Sequence, residues 1–182
     1  TEDGKMSELS TKHIDTGMGF ERLLAIVNGI DSNYDTDLFL PIIDQIVKIS
    51  GKDYDFNDGI PHRVIADHVR MLSFSIADGA MPSNDGRGYV LRRVLRRASR
   101  YGRTLGLNEP FIYKMVSVLV NIMSDDFPEI REKEEHIKNV IKSEEESFGK
   151  TLDKGIEHFN KIKNNDSDLD AISGETAFKL YD

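Results

Sequence analysis

The segment spanning residues 81–103 constrains the fold more than any other stretch of this sequence. It begins with the turn-forming residues Pro-Ser-Asn-Asp-Gly and continues as a helical pattern, with apolar residues every three or four positions. From Gly86 onward it holds seven arginines and no acidic residue. The apolar residues therefore form a stripe on one face of a helix, and a basic island of this size needs a reason. The stripe is Leu91, Val94, Leu95 and Ala98; the arginines are Arg87, Arg92, Arg93, Arg96, Arg97, Arg100 and Arg103.

This arginine helix is unusual because the whole chain is acidic, with a formal net charge of −8. Arginine presents a planar fork of N–H donors suited to phosphate, so one interpretation is a nucleic-acid surface. The other is a basic face neutralised by an acidic helix of the same chain, and charge alone leaves the two about equal. Surface ion pairs contribute only ~0–1 kcal/mol each, a weak cause for seven arginines. The candidate acidic partners are Glu132, Glu134, Glu135 and Glu144 to Glu146.

The composition narrows the class of protein. The chain has 182 residues, 31% charged and 38% hydrophobic, which is typical of a globular protein. It has no cysteine, which excludes disulfides and thiolate metal sites and suits a reducing cytoplasm. No apolar run approaches the ~20 residues needed to span a bilayer. We therefore expect a cytoplasmic protein, and since the chain starts at Thr1 and stops within a helical pattern, we expect it to be part of a longer one.

Helical periodicity covers most of the remaining sequence and predicts a mainly α fold, a helical bundle. The predicted helices span about 36–50, 61–79, 111–123, 125–163 and 174–182, and Ser173 is the expected cap of the last. Gly149 and Gly155 each weaken the long fourth helix by ~1 kcal/mol relative to alanine, so the pattern allows a bend there.

A short mixed segment precedes the bundle. Residues 12–15 are predicted to form a strand, followed by Gly17 and Gly19 and then a helix that ends at Gly29. Alternate glycines can bring backbone close to a ligand, or they can allow close packing of helix on strand. The lone Gly-x-Gly lacks the third glycine of a dinucleotide fingerprint, and the spacing leaves both interpretations open.

Two histidines in the predicted helix 61–79 are candidates for metal ligands. His62 and His68 are six positions apart, so they do not share a helix face as ligands spaced by four would. We expect hydrogen-bonded histidines here and no metal site.

Seven short motifs follow one another along the chain. They are Asp-Thr-Gly-Met-Gly-Phe-Glu-Arg at 15–22, Ser-Asn-Tyr-Asp at 32–35, Arg-Val-Ile-Ala-Asp-His-Val-Arg at 63–70, Ala-Asp-Gly at 77–79, Met-Pro-Ser-Asn at 81–84, Arg-Gly-Tyr-Val-Leu-Arg-Arg at 87–93 and Gly-Glu-Thr-Ala-Phe-Lys-Leu-Tyr-Asp at 174–182. In this order they make the chain, from about His13 to its end, resemble the alanyl-tRNA synthetases, a class II family. The first motif resembles that family's form of class II motif 3.

The resemblance implies two parts. Residues 1–30 correspond to the end of the class II catalytic domain, with the motif 3 strand and helix, and 31–182 to a helical domain that receives the tRNA acceptor stem. Enzymes of this family join alanine to ATP, with Mg²⁺, and transfer the alanine to tRNA(Ala). Motifs 1 and 2, most of the catalytic sheet, the editing domain and the oligomerisation region are absent from this chain. We therefore expect it to be inactive alone and to hold no cofactor by itself.

The resemblance also implies roles at the active site of the full enzyme. Arg22 matches the motif 3 arginine, expected as a catalytic group at the adenine and phosphates of ATP. Gly17 and Gly19 match positions that keep the ligand floor free of side chains. Asp15 is expected to bind the amino group of alanine.

Two further residues are implied to read the tRNA. Asn84 and Asp182 match the pair expected to recognise a G·U wobble pair from the minor groove, where guanine alone presents an amino donor and both side chains can accept. The phosphate contacts are implied for Arg87, Arg92, Arg93, Arg96, Arg97 and Arg100. The alternatives are a module that binds RNA helices without base selection and a helical interaction domain that binds no RNA.

Overall fold

The computed structural model describes residues 4, 8, 11–14, 17–165 and 172–181. Within these residues the chain forms eight α-helices and one 3-10 helix, Asn33–Asp35, which lies between α1 and α2. The α-helices are α1 (Phe20–Val27), α2 (Leu40–Ser50), α3 (Ile60–Ala77), α4 (Gly86–Thr104), α5 (Ile112–Met123), α6 (Pro128–Glu132), α7 (Glu134–Asn165) and α8 (Gly174–Tyr181). The mainly α prediction is confirmed.

Helix α3 lies at the centre of the bundle and packs against α2, α4, α5, α6 and α7. Its buried residues Ile65, Val69, Leu72 and Ile76 recur at spacings of three and four and are at most 1% exposed. The arginine helix, α4, packs on α3 and α7 through the predicted apolar stripe, of which Leu91, Leu95 and Ala98 are buried. None of the described helices is long and apolar enough to cross a membrane.

The strand predicted at residues 12–15 is not found. Residues 12–14 have no regular secondary structure, the described residues contain no strand, and Asp15 lies outside them. A strand requires a neighbouring strand for its backbone hydrogen bonds, and no described segment supplies one. The strand part of the prediction for 12–14 is therefore wrong for this chain.

The helix predicted from residue 36 begins only at Leu40. Pro41 occupies the first turn of α2, the place in a helix where a residue without a backbone N–H is tolerated. Thr36 instead closes the preceding 3-10 turn, its hydroxyl donating to the carbonyl of Asn33 over 2.7 Å.

The long helix predicted for 125–163 is two helices, divided at Lys133. The Lys133 ammonium group donates to the carbonyl of Ala77, the last residue of α3, whose carbonyl has no partner within its own helix. The second helix, α7, is uninterrupted from Glu134 to Asn165, through Gly149 and Gly155. The predicted cap of α8 is confirmed, since the Ser173 hydroxyl accepts the N–H of Thr176 over 3.2 Å.

Candidate nucleic-acid interface

The loop before α4 is folded closely over the first turn of that helix. A Cβ at Gly88 would overlap the carbonyl oxygen of Met81 and the hydroxyl of Ser83, so only glycine allows this approach. The Ser83 hydroxyl donates to the carbonyl oxygen of Asp85 over 2.8 Å. This packing leaves Asn84 exposed at the start of the arginine helix.

Arg92 holds two partners at once. Its Nε and Nη2 donate to the two carboxylate oxygens of Glu144 on α7, over 2.6 and 3.0 Å. Its Nη1 donates to the amide oxygen of Asn84. The side chains of Arg92 and Glu144 are 19% and 13% exposed, so this is a partly buried ion pair rather than a surface one.

Arg103, in the last turn of α4, is the second arginine of the helix with an acidic partner. It pairs with Asp153 of α7 over 2.9 Å and donates to the amide oxygen of Asn108 over 3.1 Å. Most of the acids named as candidate partners lie elsewhere. Glu134 and Glu135 pair with Lys138, and the carboxylate of Glu145 is buried against the start of α5.

The other five arginines of α4 form no ion pair with any carboxylate in the part of the chain that the structure describes. Aromatic rings lie beside four of them, with guanidinium-to-centroid distances of 5.3 to 5.9 Å. Arg93 lies over Tyr89, Arg96 over Phe148, and both Arg97 and Arg100 over Tyr101. A ring contact orients a guanidinium through its face and leaves its N–H donors available.

Four of these arginines line one cavity of about 490 Å³ between α3, α4 and α7, which we call the arginine groove. His68 of α3 also lines it, and no described group lies within hydrogen-bonding distance of the buried His68 Nε2 atom. The groove is lined by Arg93, Arg96, Arg97 and Arg100 together with His68 and Phe148.

The charge around the groove favours anions. Asp67, beside His68, has its pKa lowered, first by the hydrogen bond from the His68 ring and further by the positive charges of Arg70 and Arg97. Asp67 itself does not line the groove. A cavity lined by four guanidinium groups suits the phosphates of a polyanion.

The histidines are hydrogen-bonded, as the sequence predicted. The ring of His62 lies 3.2 Å from the carbonyl of Lys52 through Nε2, and burial lowers its pKa. His68 Nδ1 lies 3.2 Å from the carboxylate of Asp67.

Three of the N-terminal candidates, Gly17, Gly19 and Arg22, are exposed around the start of α1. A Cβ at Gly17 would meet no atom within 4 Å, and one at Gly19 would meet only the side chain of Arg22 at ordinary contact distance. Among the described residues these glycines therefore do not serve close packing. The side chain of Arg22 is exposed, whereas its neighbour Glu21 pairs with Arg70 of α3 over 2.7 Å.

The structure brings some predicted site residues together and leaves others outside its description. Asn84 and Arg92 are in contact, and four groove arginines share one cavity. Asp15 and Asp182 lie outside the described residues, so their predicted roles stay predictions. The sequence did not predict the Arg92–Asn84 contact, because this contact depends on how the loop before α4 folds. The one signal in the sequence was Glu144, which was among the candidate acidic partners of the arginines.

The chain is similar in sequence to known proteins over nearly its whole length. The model of the family described as tRNA synthetases class II (A) matches residues 1–182. A protein named alanine–tRNA ligase from Streptococcus sanguinis is 55% identical over 96% of this chain, and those from Chlorobium phaeobacteroides and Staphylococcus aureus are each 50% identical over 99%. The chain spans only 20 to 21% of the length of these relatives. The chain therefore belongs to the family of class II (A) tRNA synthetases.

Proposed function

We propose that this chain is the part of an alanine–tRNA ligase that holds the acceptor stem of tRNA(Ala) and reads its G·U wobble pair. The observation that carries the proposal is the arginine groove, whose four guanidinium groups form no ion pair with described carboxylates. Phosphate contacts fix the position of a protein on a nucleic-acid helix but do not select its sequence. The groove arginines supply these contacts, and Arg87 extends them toward the loop before α4.

Base selection falls to Asn84 together with Asp182. Asn84 is exposed in the loop that leads directly into α4, the helix whose arginines line the groove. Its amide oxygen retains a second lone pair beside the one used by Arg92, and that lone pair can accept from the amino group of guanine. Asp182, the last residue of the chain, supplies the second acceptor.

For the full-length enzyme we propose the reaction that the relatives' name describes, the ligation of alanine to tRNA. The use of ATP and Mg²⁺ in that reaction is part of the proposal and comes from the family resemblance. Residues 1–30 would form part of the catalytic domain and 31–182 the tRNA-binding domain. The open space at Gly17 and the exposed side chain of Arg22, which forms no ion pair with a described residue, suit a ligand floor completed by other parts of the enzyme. Asp15 and Gly19 complete this set, with Arg22 binding ATP.

The test compares binding of the 182-residue chain to two acceptor-stem hairpins that differ only by a G·U or a G·C pair, at moderate salt. We expect tighter binding of the G·U hairpin, and Asn84→Ala should remove this preference while both hairpins still bind. The matched control is Asn121→Ala, an exposed asparagine on α5, which should leave the preference unchanged.

The outcomes separate this proposal from a second one. Equal binding of both hairpins by the unchanged chain would contradict base reading. Equal binding that also depends strongly on salt would favour a module that docks on RNA helices through phosphates alone. The arginine groove could supply the phosphate contacts of such a module as well.

A further inference from the structure

The side chains of Glu144, Arg92 and Asn84 form one hydrogen-bonded chain that links α7 to the loop before α4. Glu144 of α7 accepts two bonds from Arg92 of α4, and Arg92 donates a third to Asn84 in the loop before α4. The two charged groups are largely buried, whereas Asn84 is exposed. The hydrogen bonds thus lead from the bundle to a surface amide.

The contact with Arg92 determines which way the Asn84 amide faces. A guanidinium group has donors only, so the amide atom beside it must be the oxygen. The Asn84 oxygen then has one lone pair left for a ligand, and the amide nitrogen is held on the other side. Without Arg92, the amide could rotate and present N–H donors where the oxygen had been.

Glu144 in turn determines where Arg92 points. Its two carboxylate oxygens accept from the Nε and Nη2 groups along one edge of the guanidinium, a bidentate arrangement that restricts the direction of the remaining donors. This pairing sets Arg92 apart from the groove arginines, which lie beside aromatic rings and keep their donors available. Arg92 is therefore poorly suited to bind phosphate.

We propose that Glu144 and Arg92 are positioning residues that fix the Asn84 amide and thereby set base-pair selectivity. This inference rests on the proposed function, in which Asn84 reads the acceptor stem. Guanine presents an amino donor in the minor groove, so the reader must present an acceptor. An Asn84 amide that is free to rotate would present an acceptor or a donor with little preference. The predicted role of Arg92 as a phosphate contact is replaced by this one.

The experiment measures the affinity of the 182-residue chain for the G·U and G·C hairpins in four variants. Asn84→Ala tests the proposed function, Arg92→Met removes the positioning donor, and Arg92→Met combined with Glu144→Gln also removes the carboxylate charge that would be left unpaired. Arg93→Met is the matched control, a neighbouring arginine without an ion pair to a described carboxylate. Thermal unfolding establishes that each variant folds. If Arg92→Met alone does not fold, the double variant is used in its place.

We expect a wild-type preference of about fivefold or more, the size of one good base-edge contact. Both variants that contain Arg92→Met should reduce it to within about twofold of unity, mainly by weakening the affinity for the G·U hairpin. Arg93→Met should lower the affinity for both hairpins by a similar factor and keep their ratio. A role in stability alone would not change that ratio.

A second readout needs no RNA. The side-chain amide proton signals of Asn84, identified by their absence in Asn84→Ala, should shift in Arg92→Met with Glu144→Gln and stay in place in Arg93→Met. If Asn84→Ala abolishes the preference and the double variant keeps it, positioning is wrong and the proposed function stands. If the wild-type chain has no preference, both are wrong.

Discussion

The carboxylate of Glu145 accepts the backbone N–H of Phe111, which lies 34 positions earlier in the chain, over 3.0 Å. It also accepts the N–H of Ile112, the first residue of α5, over 3.1 Å. The first N–H groups of a helix have no partner within it, so Glu145 of α7 caps α5 from a distance. The side chain is 3% exposed, and this burial raises the pKa of Glu145 to about 7.

The raised pKa predicts a pH dependence of stability. Between about pH 4.5 and about pH 7 the folded chain keeps a proton on Glu145 that the unfolded chain has lost. The free energy of unfolding should therefore fall as the pH rises through this range, by on the order of 3 kcal/mol, and then level off. Glu145→Gln, which cannot ionise, should lack this decrease. Urea denaturation of both proteins across this range measures it.

The comparison with Glu145→Gln also removes the contribution of His62 to the pH dependence of stability. Burial lowers the pKa of His62, so its stabilisation is present above its usual pKa and is lost as the pH falls. This trend is opposite to that of Glu145, but both proteins share it and it cancels in their difference. Parallel stability profiles of the two proteins would contradict the role of Glu145.

Two glycines should respond to alanine in opposite directions. Gly102 is buried in α4, where a Cβ would overlap the ring of Phe111, so Gly102→Ala should destabilise the chain by ~1–3 kcal/mol. At Gly149 of α7 the nearest atom to a Cβ is Arg103 Nη2 at 3.9 Å. Gly149→Ala should therefore stabilise the chain by ~0.5–1 kcal/mol through helix propensity. Chemical denaturation at one pH measures the free energy of unfolding of both variants. Equal changes in the two variants would contradict the close packing at Gly102 and the open space at Gly149.

The arginines of the groove should contribute to the affinity for RNA and little to the stability of the fold. Arg93 and Arg97 form no ion pair with a described carboxylate, so changing both to glutamine should alter the free energy of unfolding by only about 0.5 kcal/mol per site. The affinity for both hairpins should fall, and the salt dependence should decrease by about one in slope for each phosphate that the variant no longer neutralises. Salt titrations and thermal unfolding measure the two effects.

The control for this double change is Arg131→Gln on α6. Arg131 forms an exposed pair with Asp125 at 3.3 Å and lies outside the groove, so RNA binding should not change. A lower melting temperature with unchanged RNA binding in the Arg93 and Arg97 variant would instead support internal neutralisation of the arginines.

The fold was largely predictable because helical periodicity is a local property. The apolar spacing along α4 predicted which face of that helix is buried, and Ser173 predicted the cap of α8. The errors in the predicted elements occurred where the structure depends on something other than the apolar periodicity. Pro41 delays the start of α2, Lys133 divides the long acidic helix, and residues 12–14 have no partner strand in the described chain.

The sequence by itself determined that this chain is a helical bundle with one arginine-rich face, because composition, periodicity and motif order are readable without coordinates. Only the tertiary structure decided which arginines are available to a ligand. Arg92 and Arg103 meet acids of α7 about fifty positions away, whereas the groove arginines lie beside aromatic rings. Such pairing depends on how α4 and α7 pack against each other, and no local pattern specifies that register.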